Sequence, residues 1–403
     1  MKKYLLLLII GCFIATISAQ EAAEKALQTQ FIMVEDGGTI EIEAGKFTLK
    51  GSLWLDGKKN ITIKGAGIDK TFLSFKGQSE GAEGIKVTNA QNITIQDLTV
   101  LDAKGDAIKT QDVAGISFLN VRTEWTGRPK KTNGAYGLYP VQCSKVLIDG
   151  CEAIGASDAG IYVGQSEHII VRNCNVYRNV AGIEIENSTD ADVYNNVAKG
   201  NTGGILVFDL PGLIKKNGGN VRVFKNEIRE NNFKNFAPPG NSVSDIPPGT
   251  GVMVLAAADV EVFDNQIINN KTLSTGISSY YITERTFDDD GYDPYTYRVS
   301  VHDNVYERKK SWPSLKSRFG KLIALKFKRN VPHIIYDGIP NKEHLDDQGN
   351  LKSEYQICVR NNKNESFGNL DAENGFKNLN QDLAPFNCER ENLPEVEEIG
   401  RRR

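Results

Sequence analysis

The chain has 403 residues, with 48 Lys and Arg against 51 Asp and Glu and a formal net charge of −3. That mild acidity argues against a nucleic-acid binder, and the length is enough for a large buried core. Glycine is frequent, at 38 residues, and tryptophan rare, at 3.

The opening run MKKYLLLLIIGCFIATISAQ has a basic start at Lys2 and Lys3, an apolar stretch from Tyr4 to Ile14, and Ile17-Ser18-Ala19 before Gln20. This is the pattern of a secretory signal peptide over residues 1–19, which predicts a secreted or periplasmic protein. Ile9-Ile10-Gly11-Cys12 also fits a lipoprotein box, with Cys12 as the lipid anchor. The apolar residues after Cys12 speak for ordinary cleavage instead. Losing Lys2 and Lys3 takes the charge from −3 to −5. No other stretch is long enough to cross a membrane.

After the leader, Leu27, Phe31 and Val34 fall on one helical face, just before the first strand, TIEIEAG. Residues 21–35 are therefore expected to cap one end of the strand-rich region. From there the chain repeats itself: GIKV from Gly84, AIKT from Ala107, GLYP from Gly137, GIYV from Gly160, GIEI from Gly182, GILV from Gly204, GVMV from Gly251 and GISS from Gly276. A second series runs between them: NITI, GISF, KVLI, HIIV, ADVY, NVRV, DVEV and RVSV. Gly137, Gly160, Gly182 and Gly204 are 22–23 residues apart. Each unit is two short β-branched runs parted by Asn, Gly, Asp and Ser turns. One unit cannot bury its apolar face alone, but stacked coils can. The fold class is all-β: a right-handed parallel β-helix of about nine coils. Asn173, Asn195, Asn226, Asn265 and Asn304 are read as a stacked turn ladder.

Side chains alternate along each strand. The Ile and Val of Gly-Ile-x-Val point inward, leaving two columns expected to face solvent. The first runs Lys86, Lys109, Tyr139, Tyr162, Glu184, Leu206, Met253, Ser278; the second runs Thr88, Gln111, Val141, Gly164, Glu186, Phe208, Leu255, Tyr280. Tyr139 and Tyr162 would form an exposed aromatic ladder suited to sugar rings. Arg128, Lys130 and Lys131 lie on the loop just before, and with Lys109 they would give the face a basic rim. Glu184 and Glu186 stand two residues apart on one strand, close enough to split their pKa values into an acid and a base. Asp158, in GASDAG, is read as a turn former.

Residues 209–219 and 235–250 are Pro- and Gly-rich insertions read as binding-face loops. FDDDGYDP (287–294) offers Asp288, Asp289, Asp290 and Asp293 around Gly291; a calcium loop is one reading and a solvated loop the preferred one. No CxxC occurs and the four histidines are scattered, so no transition metal is implied. Residues 305–403 lose the repeat and are expected to be an irregular cap, with a possible amphipathic helix over 314–327. There Cys358 and Cys388 are the expected disulfide, while Cys143, Cys151 and Cys174 are read as buried core thiols. Residues 20–304 would form the capped β-helix, and the chain is expected to act as a monomer.

The stretch GGTIEIEAGKFTLKGSLWLDGKKNITIKGAG (37–67) resembles the opening coils of pectate-lyase-like β-helix proteins, and the coils from about 84 to 304 resemble bacterial parallel β-helix repeat proteins. The likeness extends to mannuronan C5-epimerases. Their catalytic strand, Tyr-Gly-Phe-Asp-Pro-His, reads here Tyr136-Gly137-Leu138-Tyr139-Pro140-Val141, so the family's Asp and His positions are Tyr139 and Val141. The resemblance implies the fold; the lost Asp and His argue against the epimerase reaction. Two functions are expected. The first is a β-helix that binds an acidic polysaccharide or a partner protein, with Tyr139, Tyr162, Glu184, Glu186, Lys130 and Lys131 on the binding face. The alternative is a uronate lyase or epimerase relative, with Tyr136 as acid or base and Lys109 or Arg128 neutralising the uronate. No cofactor is called for.

Overall fold

A computed structural model describes residues 21–399. The signal-peptide and Cys12 expectations lie outside the described residues. The strands join one sheet of 28 strands. It winds as a solenoid, each strand pairing in parallel with its equivalent one coil on, as Ala159–Gly164 does with Ala181–Glu186 and Glu167–Arg172 with Thr189–Tyr194. The Ile and Val of the repeats fill the interior: Ile161, Val163, Ile183, Ile185, Ile205 and Val207 are at most 2% exposed.

The corners explain the Asn and Gly content. One ladder runs Asn196, Asn226, Asn265, Asn304 and Asn362, each side-chain amide donating to the next carbonyl oxygen at 2.9–3.0 Å. Of the expected members only Asn226, Asn265 and Asn304 belong to it. Asn195 has φ 54° and is exposed, so it turns the corner while Asn196 points inward. Asn173 likewise turns the corner before Cys174. A second ladder, Asn179, Asn201, Asn231 and Asn270, stacks at 3.0–3.2 Å. It explains the repeat glycine. A Cβ on Gly182 would lie 2.5 Å from the carbonyl of Gly204 and 2.9 Å from the Asn201 amide, so the ladder leaves room for glycine alone.

The ends are closed. The helix over residues 21–33 buries Leu27 and Phe31. At the other end the coil continues past residue 304, contrary to the sequence reading. Val305–Glu307 pairs with Gln266–Ile268, Ile334–Tyr336 with the Leu273–Ser278 strand, and Phe367–Asn369 with Ile334–Tyr336. Long insertions between these strands had hidden the period. The helix Arg318–Phe327 is capped by the Ser317 hydroxyl, which accepts from the Gly320 N–H, and buries Ile323, Ala324 and Phe327. Cys358 and Cys388 form a disulfide, and Cys143, Cys151 and Cys174 are buried free thiols. No helix among the described residues is long and apolar enough to cross a membrane.

Candidate functional site

The Gly-Ile-x-Val face was expected to be open along its whole length; beyond Tyr139 it is covered. Tyr162 is 4% exposed, Glu184 1%, Glu186 7% and Phe208 2%. Tyr162 and Phe208 belong to a second apolar layer with Met253, Leu255, Tyr280, Tyr292 and Phe327. The insertions over 209–219 and 235–250, the segment after Ser278 and the Arg318–Phe327 helix supply that layer. At the last rungs the register also differs: Gly276 pairs with Met253 and Ser278 with Leu255, while Tyr280 opens a short 3-10 turn.

The strand Tyr136–Val141 starts the site. Tyr139 packs on Tyr136 with ring centroids 4.5 Å apart, and Tyr136 on Tyr162 at 4.5 Å. Tyr162 does not stand outward. It lies across Gly164, where a Cβ would come within 2.4 Å of its hydroxyl, and so reaches one rung further to donate to Glu186 Oε1 at 2.6 Å. The glycine in the second column is what lets the ring lie down.

Around these rings is a group of carboxyls. Burial pushes Glu186 up to about 7 despite the Tyr162 hydrogen bond. Glu184 is pushed well above the carboxylate range by burial and by Glu186, and its Oε2 has no hydrogen-bond partner among the described residues. Burial and the neighbouring Glu186 together favour the protonated form of Glu184. Asp158 is not merely a turn residue. It is 5% exposed, its Oδ2 accepts from the Asn241 amide at 2.8 Å, and burial chiefly, with Glu186 and Asp106 nearby, raises it to about 7. Burial also lifts Asp209 to about 7 and Asp106 to about 6, the latter against the pull of Lys109.

A cavity of about 350 Å³ opens among Tyr136, Asp158, Glu186, Leu210, Asn241 and Tyr280. Among the described residues its wall contains no Lys or Arg. Lys109 stands to one side, its Nζ 5.0 Å from the Tyr139 ring centre. Arg128, Lys130 and Lys131 are on their loop and do not line it. The expected basic rim is thus an acidic pocket. Tyr136 is also a poor base here: burial and the carboxylates around it push its hydroxyl well above the usual tyrosine range.

The aspartates of 287–294 hold the roof. Asp289 pairs with Lys216 and accepts the Gly212 N–H at 2.6 Å, and Tyr292 donates to the Asp209 carbonyl at 2.9 Å. Asp293 accepts from the Tyr297 hydroxyl at 2.8 Å. Among the described residues no group of three or more His, Cys, Asp or Glu side chains is disposed to hold a metal ion.

Sequence reasoning found Glu184, Glu186 and the tyrosines but missed the roles of Asp158, Asp209 and Asn241. Two of these come from the Pro- and Gly-rich insertions, and the only sequence signal was that both insertions sit after repeat strands on one face.

The family description "Right handed beta helix region" matches residues 51–215. The chain is a right-handed parallel β-helix. Over 224 residues this β-helix is 26% identical to the pre-neck appendage protein of Bacillus phage B103, covering 46% of this chain and 25% of that protein. The match thus spans a quarter of the relative's length. Among solved structures, the β-helix is similar to the A-module of a mannuronan C-5 epimerase of Azotobacter vinelandii. Identity there is 15%, coverage 84% of this chain and 89% of that one, and the TM-score 0.48. An exopolygalacturonase of Thermotoga maritima shares 14% identity over 73% of this chain and 83% of its own, with a TM-score of 0.46.

Proposed function

We propose that this β-helix is a glycan-processing enzyme that cleaves a glycosidic bond with Asp158 and Glu186 as its acid and base. One observation carries the reading. Two carboxyls with pKa values raised to about 7 face the same cavity, and a third, Glu184, is buried on the same strand as Glu186 and is raised well above the carboxylate range. Near neutral pH such a set holds one protonated acid and one carboxylate. Protonating the leaving oxygen and activating water, or attacking the sugar carbon, needs that pairing. Keeping buried carboxyls unpaired by cations costs stability, and active sites are where such costs recur.

The geometry favours a neutral sugar at the reacting position. A uronate would bring another carboxylate into a wall without cations, and removing its C5 proton requires that charge to be neutralised. This weighs against the lyase or epimerase reading through Tyr136, Lys109 and Arg128. Tyr136 instead supplies an aromatic face to the cavity wall that Asp158 also lines. Export through the leader would place the enzyme among extracellular or periplasmic glycans.

The test is a proton NMR time course of the mature protein with neutral and uronate polysaccharides. New reducing-end signals from a neutral glycan, absent with Glu186→Gln and with Asp158→Asn, support the proposal. Unsaturated-sugar signals from a uronate would overturn it in favour of elimination. Selective broadening without turnover would overturn it in favour of a binding module.

A further inference from the structure

The two ends of the active face differ. On one side of the cavity the next rungs, Leu206, Phe208, Met253 and Leu255, are at most 7% exposed. They lie beneath a wall that Asn241 ties to Asp158 and that the Arg285–Asp245 ion pair ties at 2.6 Å. On the other side no insertion among the described residues covers the strip. Tyr139 pairs in register with Lys109, Lys109 with Lys86, and Lys86 with Trp54. At about 4.8 Å per rung, Trp54 stands roughly 14 Å along the axis from Tyr139.

Trp54 is one of two exposed tryptophans among the described residues. It is 54% exposed, yet it is held rather than loose. Its indole N–H donates to the Thr88 hydroxyl at 2.9 Å, Thr88 in turn donates to Asp56 at 2.5 Å, and Lys86 Nζ lies 5.8 Å from the ring centre. Beside the ring is a cavity of about 290 Å³ lined also by Gln28, Glu80 and Glu83. An oriented indole with carboxylates and amides around its edge has the chemistry of a sugar platform: a flat apolar face for the ring's C–H groups and acceptors for its hydroxyls.

We propose that the carboxyl cavity receives the end of a glycan chain, and that the following sugars lie along Tyr139, Lys109 and Lys86 with one stacked on Trp54. This rests on the glycan reading of the carboxyl site and adds a direction to it. The enzyme would act from a chain end, because the face is open on one side of the cavity and walled on the other.

Binding is measured first, in Glu186→Gln so that nothing turns over. Neutral gluco-, manno- and galacto-oligosaccharides from disaccharide to hexasaccharide are titrated by calorimetry. Tryptophan emission is followed in a Trp312→Phe background, since Trp125 is buried. Affinity should rise with length, with the emission changing only for the longer chains. Trp54→Ala should weaken the hexasaccharide by about tenfold and leave the disaccharide unchanged. Length-independent affinity, or a hexasaccharide indifferent to Trp54→Ala, would overturn the subsite. Product analysis then reads the direction. One small product from the first time points fits action at a chain end, and early fragments of random length would overturn it. If Glu186→Gln retains full turnover, the acid–base reading fails while a Trp54 effect on binding still stands, so the two failures are distinguishable.

Discussion

At the scale of single residues, the site depends on Tyr162 lying flat over Gly164. Gly164→Ala puts a methyl group where the ring and hydroxyl now are, so the ring must rise and the 2.6 Å bond to Glu186 must break. The expected result is at least a tenfold loss of turnover with the solenoid intact, read by kinetics beside far-UV circular dichroism. Tyr162→Phe is the finer probe. The hydroxyl donates to the charged form of Glu186 and holds its pKa down. Without it Glu186 stays protonated to higher pH, and the limb of the pH–rate profile that reports its ionisation should move up by about one pH unit. An unmoved limb would remove Glu186 from the chemistry. Tyr136→Phe should lower activity less than Glu186→Gln, since its hydroxyl is held too far above the tyrosine range to serve as a base.

At the scale of elements, the asparagine ladders separate two jobs that look alike in sequence. Asn226 donates to the Val193 carbonyl and to Asn265, and accepts from the Asn196 N–H, all at 2.9–3.0 Å and buried. Asn226→Ala leaves these groups unpaired and should cost about 2–4 kcal/mol in urea unfolding. Asn195→Ala loses only an exposed left-handed turn residue and should cost about 1 kcal/mol. Equal costs would mean that the ladder is not what binds coil to coil. The same pair shows how far the sequence could be read. The Gly-Ile-x-Val period placed the strands and their inward faces, because a period-two pattern fixes which side chains are buried. Whether Asn195 or Asn196 turns the corner is a backbone matter that the residue type cannot decide. The covering of Glu184 and Glu186 was equally invisible: alternation says that a side chain leaves the core, and only the path of the insertions says whether it then meets water.

At the scale of the whole molecule, two features act on global stability. The tail crosses the outer face of neighbouring coils through Glu389 to Arg360, Glu395 to Arg222 and Glu398 to Arg172. Those glutamates are 68–85% exposed, so each pair is worth little. The anchor is the Cys358–Cys388 bond, which closes a separation of 30 residues and should contribute roughly 3–4 kcal/mol. Cys388→Ser should lower the melting temperature accordingly. The carboxyl cluster acts in the opposite sense. Asp158, Glu186 and Asp209 are all raised to about 7 in the folded state, with burial the chief cause, whereas in the unfolded chain they titrate near 4. The folded protein therefore binds more protons between about pH 4 and pH 7, and stability falls as pH rises through that window. It should be higher at pH 5 than at pH 8, with little further change from this cluster above pH 8. Glu186→Gln and Asp158→Asn should each flatten that slope and raise the melting temperature at pH 8 while abolishing turnover. A variant that is inactive and also less stable at pH 8 would mean that the carboxyl serves the fold, and that its raised pKa carries no chemistry.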